Sequence, residues 1–250
     1  GNEVFRQIVN ADLYIDKTML LRETNRLLDS ANKYICMSRP RRFGKTVTGN
    51  MLCSYYSRGC DSRELFEPFR ISRDPGFLKN LNRYHVIKID MNSEYQSAQE
   101  KKDVLKILTE EVREEMKTAF PNVVFRGSDS LARCILRVYA AKQETFIILL
   151  DEYDVFVREQ VSDELFQEYL AFLNSLFKSD TLRPAISLAY LTGILPIVRD
   201  KVQSKLNNFR EYTILNAGVF AEYVGFTARE TEEVCAERGI DFNECRRWYN

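Results

Sequence analysis

A loop rich in arginine, set between a short apolar run and a helical pattern, constrains this chain more than any other stretch. Tyr34-Ile35-Cys36-Met37-Ser38 leads into Arg39-Pro40-Arg41-Arg42-Phe43-Gly44-Lys45-Thr46, after which Val47, Met51, Leu52 and Tyr55 recur at helical spacing. A strand, a tight loop and a helix that opens at Gly-Lys-Thr form a site for nucleotide phosphates. The free amides and the dipole at the helix N-terminus favour anions there. A second apolar run, Phe146-Ile147-Ile148-Leu149-Leu150, ends in Asp151-Glu152. A buried strand ending in two carboxylates supplies the acid beside a metal and the acid that orients water in phosphoryl transfer. Either half alone is weak evidence. Together, in this order, they point to a nucleotide-binding protein.

The template Gly-x-x-x-x-Gly-Lys-Ser/Thr wants its first glycine where this chain has Arg39. What remains of it assigns Lys45 to the terminal phosphates and the Thr46 hydroxyl to Mg2+. Arg39, Arg41 and Arg42 read either as a solvated charge cluster or as phosphate ligands. Contact by at least one of them is expected, because clustered guanidiniums repel one another without an anion and suit bidentate phosphate binding. With Pro40, Phe43 and Gly44 they make up the expected nucleotide loop.

Asp151 is expected to be the metal-side carboxylate and Glu152 the base or water-orienting residue; the alternative is a strand that simply reaches the surface in acids. Asp154 reads as a cap of the next turn. Thr192 follows the apolar run 186–191, where its hydroxyl suits the γ-phosphate or the attacking water, or where Thr-Gly only makes a strand-end turn. His85, the single histidine, lacks a Ser, Cys or acid constellation and reads as structural.

Apolar runs at 34–37, 86–89, 146–150 and 186–191 alternate with amphipathic segments around Val104–Val112 and Leu165–Leu176, the latter opened by Ser162. The alternation predicts an α/β fold: a P-loop NTPase-type parallel sheet flanked by helices, followed by the start of a small helical domain. Residues 1–217 are expected to form the ATPase-like domain. Residues 218–250, with a helix following a Thr227 cap, are expected to begin a helical lid or a linker to a missing C-terminal domain. Residues 58–82 read as an excursion between strands, and the aromatic residues read as core rather than as base-stacking platforms.

Lys plus Arg equals Asp plus Glu at 36 each, so any basic partner surface must be local. The six cysteines form no CxxC pair, and one histidine cannot build a histidine-rich metal site. No apolar run approaches the ~20 residues that cross a bilayer. With no secretory leader at Gly1-Asn2-Glu3, the chain reads as cytoplasmic, without a membrane partner.

Five stretches together resemble the AAA-ATPase-like family of bacterial proteins. They are Tyr14-Ile15-Asp16-Lys17-Thr18, Ser38 to Thr46, Leu150-Asp151-Glu152-Tyr153-Asp154, Leu191-Thr192-Gly193-Ile194 and Leu206-Asn207-Asn208. The resemblance covers nearly the whole chain and accounts for Arg39, since the family lacks the first loop glycine. It implies ATP or ADP with Mg2+, a Walker A pair at Lys45 and Thr46, a Walker B pair at Asp151 and Glu152, and a γ-phosphate sensor at Thr192. Members usually continue into a PD-(D/E)XK nuclease-like domain. Trp248-Tyr249-Asn250 is similar to the Trp-Tyr-Asp-Gly-Tyr run leading there, so that half is expected to be missing, and nucleic acid is expected to be reached only through it.

Two positions depart from the family pattern: Val155-Phe156 replaces a proline two residues after Asp154, and Thr48-Gly49-Asn50 weakens the following helix, the glycine by about 1 kcal/mol. The function expected is Mg-dependent ATP binding with slow hydrolysis in a nucleotide-gated switch. The alternatives are a module that holds nucleotide without hydrolysis, or an accessory to nucleic-acid processing whose basic loop touches DNA. An oligomer or a protein partner stays open.

Overall fold

The computed structural model describes residues 1–196 and 207–249, leaving Leu206 and Asn250 of the family motifs, and the side chains of Trp248 and Tyr249, outside the described residues. Five strands make one parallel sheet: β1 Tyr34–Ser38, β2 His85–Asp90, β3 Phe146–Asp151, β4 Ile186–Gly193 and β5 Arg210–Tyr212, in the order β2-β3-β4-β1-β5. β1, β3 and β4 are buried along their whole length. That is why their sequences are continuous apolar runs rather than alternating ones.

Successive side chains leave a strand on opposite faces. Tyr34 and Cys36 of β1 join one core, with Ile148 and Leu150 of β3 and the helices Val104–Ala119, Leu131–Lys142 and Asp163–Phe177. Ile35 and Met37 join the other, with Ile147, Leu149, helix Lys45–Tyr56 and the N-terminal residues Phe5, Leu20 and Leu21. This is the expected α/β architecture, a parallel sheet flanked by helices. The pairing of β3 with β4 slips between Phe146 and Ile147. As a result Ile186 and Leu188, two residues apart, point into different cores, the effect of one inserted residue on the side-chain alternation.

Strand order places the functional crevice. The chain leaves β1 for β2 at one edge of the sheet and leaves β4 toward β5 at the other, so these neighbours form a topological switch point. Ligands of open α/β sheets bind beyond the C-terminal ends of such strands. β4 runs two residues further than its apolar run, so Thr192 and Gly193 are strand residues opposite Met37 and Ser38 rather than a turn. The helix after the loop spans Lys45–Tyr56 without a break at Gly49, because tertiary burial of Met51, Leu52, Tyr55 and Tyr56 outweighs propensity. The excursion 58–82 contains short helices at Arg63–Phe66 and Phe77–Asn80 and a 3-10 turn at Arg70–Arg73.

Helix Ala228–Arg238 opens with a capping box between Thr227 and Glu230 and ends at Gly239, whose φ of +66 suits a residue without a side chain. The Glu230 carboxylate also accepts from Lys17 Nζ at 2.6 Å, Lys17 donates to the Glu222 carbonyl at 2.6 Å, and Arg238 donates to the Asp12 carbonyl at 2.7 Å. The N-terminal motif thus holds the C-terminal segment. Burial raises the Glu230 pKa, but hydrogen bonds from Lys17 and Thr227 outweigh it and leave the carboxyl below its ordinary 4.5. A depressed carboxyl pKa stabilises above the ordinary value, and that contribution disappears as pH falls through the folded one. Lys17→Met at neutral pH, and acidification of the parent chain below the ordinary carboxylate range, should therefore each lower the protection of the 228–238 amides relative to their intrinsic exchange rates at the same pH, while leaving β1, β3 and β4 protected; exchange mass spectrometry reads both.

Candidate nucleotide site

β1 delivers the chain to the loop, and the Arg39 amide continues the β1–β4 pairing by donating to the Gly193 carbonyl at 3.0 Å. The loop then turns through two left-handed residues, Arg42 at φ +68 and Gly44 at φ +75. Lys45 begins the helix, and its ammonium folds back to donate to the carbonyls of Arg39 at 3.0 Å and Pro40 at 2.9 Å. It is 7% exposed. Burial pushes its pKa down, while Glu152, Asp151 and Asp154 oppose that shift. Thr46 is exposed in the first helical turn.

The arginines divide into two kinds. Arg39 is buried, and its guanidinium donates to the carbonyls of Ser38 and Tyr212, each at 3.1 Å, cross-linking β1 to β5. Arg41 and Arg42 stand exposed on the loop with Pro40. Phe43 lies against Gly225 so closely that a Cβ at Gly225 would come within 2.7 Å of the ring. The loop therefore touches the C-terminal segment.

β3 ends beside β4. Asp151 is 5% exposed, and its Oδ1 accepts from the Thr192 hydroxyl and, at 3.0 Å, from the Glu152 amide. Its Oδ2 is buried without a hydrogen-bond partner. Burying such an oxygen is costly unless something satisfies it, so it is the atom of the site best suited to a hard cation. No cluster of three or more His, Cys, Asp or Glu side chains fit to hold a metal occurs among the described residues. Mg2+ beside nucleotide phosphates needs no such cluster, since it takes one or two carboxylates and completes its shell with phosphate oxygens and water.

Glu152 adopts φ +52, and its carboxylate forms an ion pair with Arg158. Arg158 also lies 3.5 Å from Asp154. The Asp154 side chain does not cap the helix Val155–Arg158 that follows; instead it accepts from the amides of Ile194 at 3.0 Å and Leu195 at 2.8 Å. The expected cap is thus a strap on the exit from β4. The Tyr153 amide donates to the Thr192 carbonyl at 3.0 Å and its hydroxyl to the Leu195 carbonyl at 2.5 Å. Asn208, of the motif without an assigned role, donates to the Phe177 carbonyl at 2.5 Å at the end of helix Asp163–Phe177.

The structure brings Asp151 and Thr192 into direct contact and holds Lys45 against the loop that carries Arg39 to Gly44. Arg158 stands outside every stretch singled out from sequence, and Tyr153 and Gly193 lie in the family stretches without a functional role assigned to either. Arg158 carried only the i,i+4 spacing from Asp154 as a signal. Gly193 looked like a turn residue, yet it faces the Tyr153 ring, and a Cβ there would sit 2.6 Å from Cε1.

The family described as predicted AAA-ATPase matches residues 1–203. Among solved structures, that of the Aeropyrum pernix ORC1 protein in complex with DNA is similar at 15% identity and a TM-score of 0.48, covering 94% of this chain and 53% of that one. The chain thus spans about half the length of that structure. No curated protein matches.

The contact at Gly193 gives a direct check of how the site is held. Gly193→Ala should destabilise the fold by roughly 1–3 kcal/mol, through overpacking against Tyr153. Gly127→Ala, which meets no atom within 4 Å, should change little. Denaturant unfolding of the two variants beside the parent measures both.

Proposed function

The chain belongs to the predicted AAA-ATPase family, and from that membership and the geometry beyond β1 and β4 we propose that it binds ATP with magnesium and hydrolyses it slowly, as a nucleotide-gated switch. The observation that carries the reading is the Asp151 carboxylate, with one oxygen held by Thr192 and the other buried and unpartnered.

Thr46 and Asp151 are the residues for magnesium, which when bound supplies positive charge to the phosphates. Lys45 exchanges its two carbonyl partners for phosphate oxygens, an exchange made easier because a partly desolvated ammonium binds an anion strongly. Arg41 and Arg42 add guanidiniums at the loop surface, and the free amides from Gly44 to Thr46 at the helix start add donors for an anion. Arg39 serves the phosphates indirectly by fixing the start of the loop. Thr192 orients Asp151 and stands ready for the γ-phosphate side. Glu152 is the base or water-orienting residue once it leaves Arg158. Its ion pair with Arg158 favours a second reading, a module that holds nucleotide without turning it over.

The proposal extends to the cytoplasm, a reducing compartment that suits six free cysteines. It also extends to a nuclease-like domain as the part of a longer protein through which nucleic acid is met. Among the described residues no helix is long and apolar enough to cross a membrane.

Steady-state hydrolysis and nucleotide titration of three proteins separate the readings. Lys45→Ala should lose ATP binding. Glu152→Gln should keep the parent affinity and lower turnover by roughly 100-fold or more, the scale of a lost general base. Unchanged turnover in Glu152→Gln would move the base to another residue. Tight binding with no turnover in the parent chain would select the non-hydrolysing module.

A further inference from the structure

In the motif Tyr14-Ile15-Asp16-Lys17-Thr18, Asp16 and Thr18 make their contacts with the turn Arg70–Arg73. Asp16 Oδ1 accepts from the Thr18 amide at 2.8 Å and from its hydroxyl at 2.6 Å, and Asp16 Oδ2 accepts from the Arg70 amide at 2.9 Å. The Thr18 hydroxyl accepts in turn from the Ile71 amide at 3.3 Å. These bonds fix the start of helix Leu20–Leu27 against the turn Arg70–Arg73. Between the two opens a cleft of about 310 Å³ lined by Met19, Arg22, Arg70, Arg73, Asp74 and Pro75.

The charge around this cleft is unbalanced. Arg22 shares the Glu23 carboxylate with Arg26, at 2.9 Å and 3.1 Å. Asp74 Oδ1 accepts from the Gly76 amide at 2.8 Å. Among the described residues no ion pair engages Arg70 or Arg73, both of which are exposed. Three arginines therefore line one small space, two of them without an ion pair, with Asp74 as the only acidic residue among its described walls. Two exposed guanidiniums without ion pairs beside one cleft favour an anion there.

The Arg70–Arg73 wall of the cleft lies away from the nucleotide loop. Tyr55, near the far end of a helix about 18 Å long, donates to the Phe77 carbonyl at 2.7 Å, so the segment after Arg73 packs at the end of that helix opposite Gly44.

We propose that the cleft between helix Leu20–Leu27 and the turn Arg70–Arg73 is a second anion site, taking a small ligand that carries a phosphate group through Arg22, Arg70 and Arg73. Guanidiniums present planar forks that fit phosphate oxygens. The cleft that these arginines line is at the lower end of small-ligand pocket volumes, whereas a polynucleotide is tracked by an extended basic groove with stacking aromatics. Met19 and Pro75 give the remainder of the ligand an apolar wall, and Asp74 offers an acceptor to a hydroxyl or amine on it. The site stands independently of nucleotide hydrolysis.

Calorimetric titration of inorganic pyrophosphate, without magnesium, into the Lys45→Ala chain isolates this site from the nucleotide loop. One binding event per chain should remain, and Arg70→Gln/Arg73→Gln in the same background should weaken it at least about tenfold, the loss of one or more charge-assisted bonds. The melting temperature should not move, since both side chains are exposed. If the double variant melts early, Arg73→Gln alone, which forms no ion pair among the described residues, should still weaken binding. Absence of binding in the Lys45→Ala chain, or binding indifferent to the arginine substitutions, overturns the proposal. A single-stranded oligonucleotide that binds through the same arginines more tightly than pyrophosphate overturns the small-ligand assignment in favour of a polynucleotide.

Discussion

The pairing of β1 with β4 is the constraint on which the site depends. It sets Ser38 opposite Gly193 and Met37 opposite Thr192, and the Arg39 amide extends it one bond further to the Gly193 carbonyl. Two strands that would otherwise separate are thereby locked where the phosphate loop begins. β3 lies on the other side of β4, so the same strand that anchors the loop offers the Thr192 hydroxyl to Asp151. Straps from Tyr153 and Asp154 to Leu195 and Ile194 hold the exit from β4. Gly193 lets that arrangement close, because its missing side chain leaves room for the Tyr153 ring.

The electrostatics follow from this geometry. Exposed Arg41 and Arg42 face outward on the loop, while Asp151, Glu152 and Asp154 gather at the end of β3 with Lys45 and Arg158 among them. An anion drawn to the loop and a cation drawn to the acids are the two components of a metal–nucleotide complex. The Phe43 contact at Gly225 and the Lys17–Glu230 ion pair connect the loop face and the N-terminal motif to the C-terminal segment. In the proposed switch, these are the contacts through which occupancy of the loop reaches residues 218–249.

Much of this was legible in the sequence because buried parallel strands cannot hide: β1, β3 and β4 read directly as apolar runs. Gly44-Lys45-Thr46 and Asp151-Glu152 stood out because phosphate binding favours the one at a helix N-terminus and metal binding the other at a buried strand end. Other features left little trace. β5, Arg210-Glu211-Tyr212, is too short and polar to signal a strand and is recruited by its partner β1. Arg39 looked like its charged neighbours, and only tertiary structure shows that β1 and β5 absorb its guanidinium. Arg158 meets Glu152 because Glu152 takes a left-handed turn, which no local pattern in an Asp-Glu-Tyr-Asp run announces. Asp154 likewise acts across the chain, on the amides beyond β4, where sequence reasoning sees only the adjacent helix start.

In the proposed site Asp151, oriented by Thr192, provides the metal side and Lys45 with its loop the phosphate side. The most direct measurement is calorimetric titration of ATP with and without Mg2+ into the parent chain and Asp151→Asn. One ATP per chain is expected, bound more tightly with Mg2+ in the parent, with loss of that magnesium dependence in Asp151→Asn while metal-free binding persists. Affinity that is indifferent to Mg2+ in the parent, or a magnesium effect of the same size in both proteins, would contradict this assignment.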